Sequence, residues 1–167
     1  MTVTLTGFMG CGKSSVGKAL AERLGWEFID LDAYIVHKKG MSIPEIFSEE
    51  GEEAFRAVEA ECVRDVIVMH QITGRNTILA LGGGTLTITS VRWLIIGQTE
   101  CFYLKSSLEA CLERIGDTSS RPLLSSSADI RTLFLERESG YALASHIIDT
   151  EGKSCKDVAE EILSSLR

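Results

Sequence analysis

The chain has 167 residues, 44% of them hydrophobic and 25% charged, with a formal net charge of −7. That size and balance fit one globular domain with a sizeable core, and the acidic excess argues against a general nucleic-acid-binding surface. No apolar run approaches the ~20 residues that span a bilayer. The five cysteines, Cys11, Cys62, Cys101, Cys111 and Cys155, are scattered and contain no C-x-x-C pair, which disfavours both a disulfide framework and a zinc site.

In chain order, "VTL" reads as a short buried strand that runs straight into "GFMGCGKSS". Gly7, Gly12, Lys13 and Ser14 fit G-x-x-x-x-G-K-[ST], the loop whose backbone N–H groups wrap a polyphosphate. The strand opens directly into this loop, which leaves no room for a targeting peptide, so a cytoplasmic chain is expected. A helix over Lys13 to Leu24 follows, with Val16, Leu20, Ala21 and Leu24 on one face and Gly25 at its C-cap. "WEFID" predicts a second strand ending at Asp30.

The stretch Leu31 to Asn76 reads as mostly helical. In "SIPEIF", Ser42 and Glu45 form a capping-box pattern with Pro44 in the first turn. Phe55, Val58, Cys62, Val66 and Met69 then recur at helical spacing. "TILAL" is a third strand leading to Gly82, Gly83 and Gly84. "VRWLI" reads as helix, "ECFYL" as a fourth strand and "SLEACLERI" as helix. "GDTSSRPLLSSSA" is polar and broken, "DIRTLFLERE" is helical, and "SHIID" is a fifth strand. Ser154 caps a last helix with Val158, Ala159, Ile162 and Leu166 facing inward. Strands alternating with helices predict an α/β fold, with a parallel sheet covered on both faces and ligands gathered at the carboxyl ends of its strands. The phosphate loop, Asp30 to Asp32 and the glycine triplet then share one rim.

The chemistry follows from residue types. Lys13 would neutralise the β- and γ-phosphates, and the Ser14 hydroxyl would ligate Mg²⁺. Asp30 and Asp32, two apart at strand spacing, would point the same way, one toward the metal and one toward an acceptor hydroxyl. Asp30 can equally cap the next helix. Arg56 and Glu59, at i and i+3, form either a surface ion pair or a guanidinium held in one rotamer to grip a carboxylate. Arg121, in the Ser/Gly-rich stretch, fits a lid arginine over the transferring phosphate. A Cys11 thiol facing the phosphate cleft would be activated by the loop and react first with alkylating reagents, whereas one turned into the protein would be inert. A GTPase is excluded by the absence of N-K-x-D. The D-x-x-G at Asp149–Gly152 falls after the fifth strand, too late in the chain to be a switch motif.

Together, "GFMGCGKSS", "FIDLD", "IPEIFSEEGEEAFRAVE", "LALGGGT" and "RPLL", with an arginine two helical turns past the lid, resemble the shikimate kinase family over nearly the whole chain. The resemblance implies a P-loop kinase fold of the nucleoside-monophosphate-kinase kind. Its features are a five-stranded parallel sheet, a small helical substrate-binding subdomain at about residues 31–60 and a lid at about 116–128. It implies transfer of the ATP γ-phosphate to the 3-hydroxyl of shikimate with Mg²⁺. A monomer that binds no nucleic acid or membrane is expected.

By position, Gly10, Cys11, Gly12, Lys13, Ser14 and Ser15 would bind ATP, with Ser14 and Asp30 serving the metal. Asp32 would be the base, Lys13 and Arg121 its catalytic partners. Arg56 and Arg137 would clamp the shikimate carboxylate beside Gly82, Gly83 and Gly84, with Glu59 holding Arg56 and Phe47 and Phe55 walling the apolar side. Arg114 would stack on adenine. Three places depart from the family pattern: Cys11 in the loop, Ser139-Gly140 after Arg137, and Lys153 where some relatives direct an arginine to the adenine. The alternatives are a gluconate-type kinase of the same fold and a catalytically silent nucleotide-binding module.

Overall fold

The computed structural model describes residues 1–116 and 127–166, with side chains described from Asp129 onward in the second stretch. Five strands run β1 (Thr2–Thr6), β2 (Glu27–Asp30), β3 (Thr77–Ala80), β4 (Glu100–Lys105) and β5 (His146–Asp149). All their pairings are parallel, and the sheet order is β2-β3-β1-β4-β5. The central strand β1 is buried along its whole length, as expected for a strand covered on both faces.

The helices are α1 (Lys13–Leu24), α2 (Leu31–Lys39), α3 (Ile43–Glu49), α4 (Gly51–Thr73), α5 (Thr89–Gln98), α6 (Leu108–Ile115), α7 (Ser127–Tyr141) and α8 (Cys155–Ser165). α1 buries Val16, Leu20 and Ala21 and ends at Gly25 in the left-handed region. Gly17 lets α1 lie close on the sheet, since a Cβ there would come within 2.5 Å of the Phe28 ring. The capping box of α3 forms as its sequence predicts, with the Glu45 carboxylate accepting from the Ser42 N–H and Ser42 Oγ from the Glu45 N–H.

The sheet order fixes the site. The chain leaves β1 for the β2 edge, returns through β3 and then crosses to β4 on the other side. The direction of winding therefore reverses at β1, and a crevice opens at its carboxyl end. Asp30 pairs with Ala80, two residues before Gly82, which brings the end of β2 beside the glycine triplet.

Two expectations are corrected. Asp30 and Asp32 are not at strand spacing, because β2 stops at Asp30, as expected, and Asp32 lies in the first turn of α2. Met69 does not join the core face of α4: it is about half exposed near the helix end, while Ala60, Val63 and Ile67 are buried. A 3-10 turn at Thr85–Thr87 follows the glycine triplet, where periodicity gave no signal. Among the described residues no helix is long and apolar enough to cross a membrane.

Candidate active site

The phosphate loop leaves β1 and enters α1. Gly10 and Gly12 have φ of 79° and 101°, which only glycine adopts without strain. Lys13 Nζ donates to the carbonyls of Gly7 at 2.8 Å and Phe8 at 3.0 Å, so the ammonium lies across the loop rather than out in solvent. The Cys11 thiol is 2% exposed, with its Sγ 3.7 Å from Lys13 Nζ. It is turned into the protein, as the second alternative has it. The Cys11 N–H is taken by the Phe8 carbonyl at 3.2 Å.

Ser14 Oγ donates to Asp30 Oδ2 at 2.6 Å. The other carboxylate oxygen of Asp30 accepts from the N–H groups of Asp32 and Ala33, at 3.1 and 3.3 Å. Asp30 therefore caps α2 with one oxygen and reaches Ser14 with the other. A hydroxyl and a carboxylate oxygen in contact at the mouth of a phosphate loop are the hard donors a small divalent cation takes. Asp32 lines the same cleft as Lys13, Ser14, Asp30 and Gly83.

α4 supplies Arg56 and Glu59. Glu59 is 0% exposed, accepting from Arg56 Nη1 at 2.7 Å and from Thr85 Oγ1 at 2.6 Å. The Arg56 guanidinium lies on Gly84, where a Cβ would come within 2.5 Å of Nη2. Arg137 from α7 is 6% exposed, and its Nη1 would be 3.2 Å from a Cβ on Gly83. Two successive glycines thus carry two guanidinium groups. Burial lowers the pKa of Arg137, and the charge of Arg56 adds to that, while Tyr141 and Glu59 favour the cation. Burial pushes the Tyr141 phenol well above its ordinary value, and the neutral hydroxyl donates to the Gly83 carbonyl. Phe47 and Phe55 pack with ring centroids 4.7 Å apart, and the Arg56 guanidinium carbon is 5.2 Å from the Phe55 ring centre.

A second cleft opens on the other side of the phosphate loop. Gly10, Cys11, Gly12, Ser15, Arg114 and Lys153 all line it. Arg114 Nη1 donates to the Gly10 carbonyl and to Ser106 Oγ, both at 3.3 Å. Lys153 is drawn to Glu161 at 2.6 Å. Arg121 and most of the expected lid, residues 117–126, lie outside the described residues.

The family model described as shikimate kinase matches residues 9–167. The chain belongs to the shikimate kinase family. A shikimate kinase of Geobacter sulfurreducens is 44% identical over 99% of this chain and 90% of the relative. One from Moorella thermoacetica is 40% identical over 99% of this chain and 94% of the relative. A solved shikimate kinase of Acinetobacter baumannii, in complex with shikimate, superposes with a TM-score of 0.90 at 34% identity, covering 99% of this chain and 92% of that one.

Within the shikimate kinase fold of this chain, two side chains escaped the sequence reading. Tyr141 stands four residues after Arg137 on α7, a spacing that stacks side chains on one helix face and could have flagged it. Thr85 follows the glycine triplet directly, and nothing local announced its bond to Glu59, which is 26 residues away in the chain. Gly140, one of the positions that depart from the family pattern, packs near Leu86, where a Cβ would be 3.8 Å from the Leu86 carbonyl.

Proposed function

We propose that this chain transfers the γ-phosphate of ATP to the 3-hydroxyl of shikimate, giving shikimate 3-phosphate on the route to chorismate and the aromatic amino acids. The observation that carries the reading is the pair of guanidinium groups, Arg56 and Arg137, on Gly84 and Gly83, beside the cleft that holds Asp32 and the phosphate loop. Two cations fixed side by side suit one carboxylate gripped by a fork at each oxygen. A ring acid held at that end turns a hydroxyl toward Asp32.

The roles follow from chemistry. Lys13 exchanges its loop carbonyls for the β- and γ-phosphate oxygens and neutralises charge that builds in the transition state. Ser14 and Asp30 would hold Mg²⁺, which would neutralise charge on the phosphates. Asp32 accepts the proton of the attacking hydroxyl. Arg121 closes over the phosphate within a lid at about residues 116–128, which keeps water from competing as acceptor. Arg114 and Lys153 flank the adenine. α2, α3 and the start of α4 form the substrate-binding part. The enzyme works as a cytoplasmic monomer with no nucleic-acid or membrane partner.

The test is ADP release by the purified chain with Mg²⁺ and ATP, read with no acceptor, with shikimate and with gluconate. Release that depends on shikimate supports the reading. Equal release with gluconate points to the broader small-molecule kinase, and none with any acceptor points to a silent module.

A further inference from the structure

Glu59 is fully buried, and a buried carboxylate is stable as an anion only when both oxygens find donors. Arg56 serves Oε2 at 2.7 Å. The donor at Oε1 is the Thr85 hydroxyl at 2.6 Å, with Thr85 itself 0% exposed. That hydroxyl has one proton and two acceptors in reach, the second being the Gly82 carbonyl at 3.0 Å. The shorter contact goes to the charged oxygen, where a hydrogen bond is stronger.

The position of this hydroxyl is set by backbone. The Thr85 N–H donates to the Gly82 carbonyl at 3.2 Å and opens the 3-10 turn, and Thr87 closes the turn with Oγ1 on the Gly84 carbonyl at 2.6 Å. Gly82 leaves room for the contact, because a Cβ there would come within 2.7 Å of Glu59 Oε1 and 3.1 Å of Thr85 Oγ1. The contacts close a ring: Gly84 carries the Arg56 guanidinium, Arg56 holds Glu59, Glu59 is held by Thr85, and Thr85 is the next residue after Gly84.

Arg56 also has a competitor for its charge. Glu52, one turn earlier on α4 and largely exposed, stands 3.5 Å from Nη2. Glu59 keeps the guanidinium over the glycine triplet only while its own carboxylate is fixed. Freed at Oε1, Glu59 can rotate, and Arg56 can follow Glu52 toward solvent.

We propose that Thr85 is a positioning residue for shikimate, acting through Glu59 to hold Arg56 over Gly84; this rests on the clamp reading above. Thr85→Val removes the hydroxyl at nearly constant volume, and Thr85→Ser restores it. The expected result is a roughly tenfold rise in the shikimate KM of Thr85→Val, the size of one lost hydrogen bond to a charged group, with kcat and the ATP KM little changed. Thr85→Ser should return the shikimate KM toward the wild-type value. Glu52→Gln added to Thr85→Val should recover part of the loss, because it removes the competing carboxylate. Adding Arg56→Lys should multiply the loss by less than its own factor, since both changes act on one group.

An unchanged shikimate KM in Thr85→Val overturns the proposal. So does equal impairment in Thr85→Val and Thr85→Ser, which would mean that packing and not the hydroxyl matters. Thr85→Ala, read in the same assay, carries the test if the valine variant does not fold. Wild-type protein that ignores shikimate refutes the clamp reading itself. An active wild type with an indifferent Thr85→Val refutes the Thr85 role alone.

Discussion

Gly84→Ala separates the space a glycine leaves from the backbone freedom it gives. Gly84 has φ −106° and ψ −1°, a conformation alanine adopts freely, so the substitution introduces no backbone strain. What it introduces is a methyl group 2.5 to 2.8 Å from three atoms of the Arg56 guanidinium. Those atoms are the far end of a flexible side chain, so the fold gives way there at small cost. The guanidinium must retreat by about 0.9 Å to reach ordinary contact at 3.4 Å. A retreat of that size along the 2.7 Å bond to Glu59 stretches it to ~3.6 Å, beyond hydrogen-bond range.

The loss is one charge-assisted contact, about 1.5–3 kcal/mol, or roughly 10- to 150-fold in the affinity for shikimate. The assay is ADP release against shikimate concentration at saturating ATP, with a thermal melt alongside. The expected variant melts near the wild-type temperature, keeps its ATP KM and shows the raised shikimate KM. A normal shikimate KM in a folded Gly84→Ala protein would refute the stacking of Arg56 on the triplet as a binding device.

Asp32→Asn should keep Mg·ATP binding and lose turnover by on the order of 10²–10⁴-fold, since the amide takes no proton from the acceptor, and near-normal kcat would remove Asp32 as the base. Thiol titration of the native protein should find Cys155 first, because it alone is exposed and the other four are buried. Burial also pushes Cys101 and Cys111 up to about 11, and peptide mapping that finds Cys11 labelled ahead of Cys155 would contradict the inward-facing thiol. The Ser42 and Ser154 caps hold the Glu45 and Asp157 carboxyls below their ordinary values. Because the folded pKa is the lower one, this stabilisation is present above the ordinary values of 4.5 and 3.8 and disappears as the pH falls through the depressed ones. Glu45→Gln with Asp157→Asn should therefore lower the melting temperature at pH 7 and flatten its fall toward pH 3, and an unaltered acid slope would count against both caps.

What was legible in the chain is what is local. The phosphate loop, the Gly25 C-cap and the capping box at Ser42 depend on a few neighbouring residues with fixed backbone demands, and each stands where its spacing placed it. The five strands and the rim they share follow from the alternation of strand and helix. The order β2-β3-β1-β4-β5 was not readable, because it is decided by which faces pack across the sheet. Asp30 and Asp32 were found as a pair, and a helix after Asp30 was expected, but their strand spacing was wrong, because Asp30 caps the helix and Asp32 already lies in its first turn. Arg56 and Glu59 showed an ion pair at i,i+3, which by itself is as ordinary on a surface as in a site. Only the burial of Glu59 and its second bond to Thr85 distinguish the two, and both come from residues far off in the chain.

Phosphorus NMR of the products of ATP and shikimate would fix both the reaction and the geometry behind it. On the proposed reading, in which Arg56 and Arg137 hold the carboxylate and the ring turns toward Asp32, the phosphate should arrive on one hydroxyl. The expected spectrum shows the ATP γ-resonance replaced by a single phosphomonoester coupled to the proton on carbon 3 of the ring. Inorganic phosphate alone, or a phosphomonoester coupled to another ring proton, would contradict it.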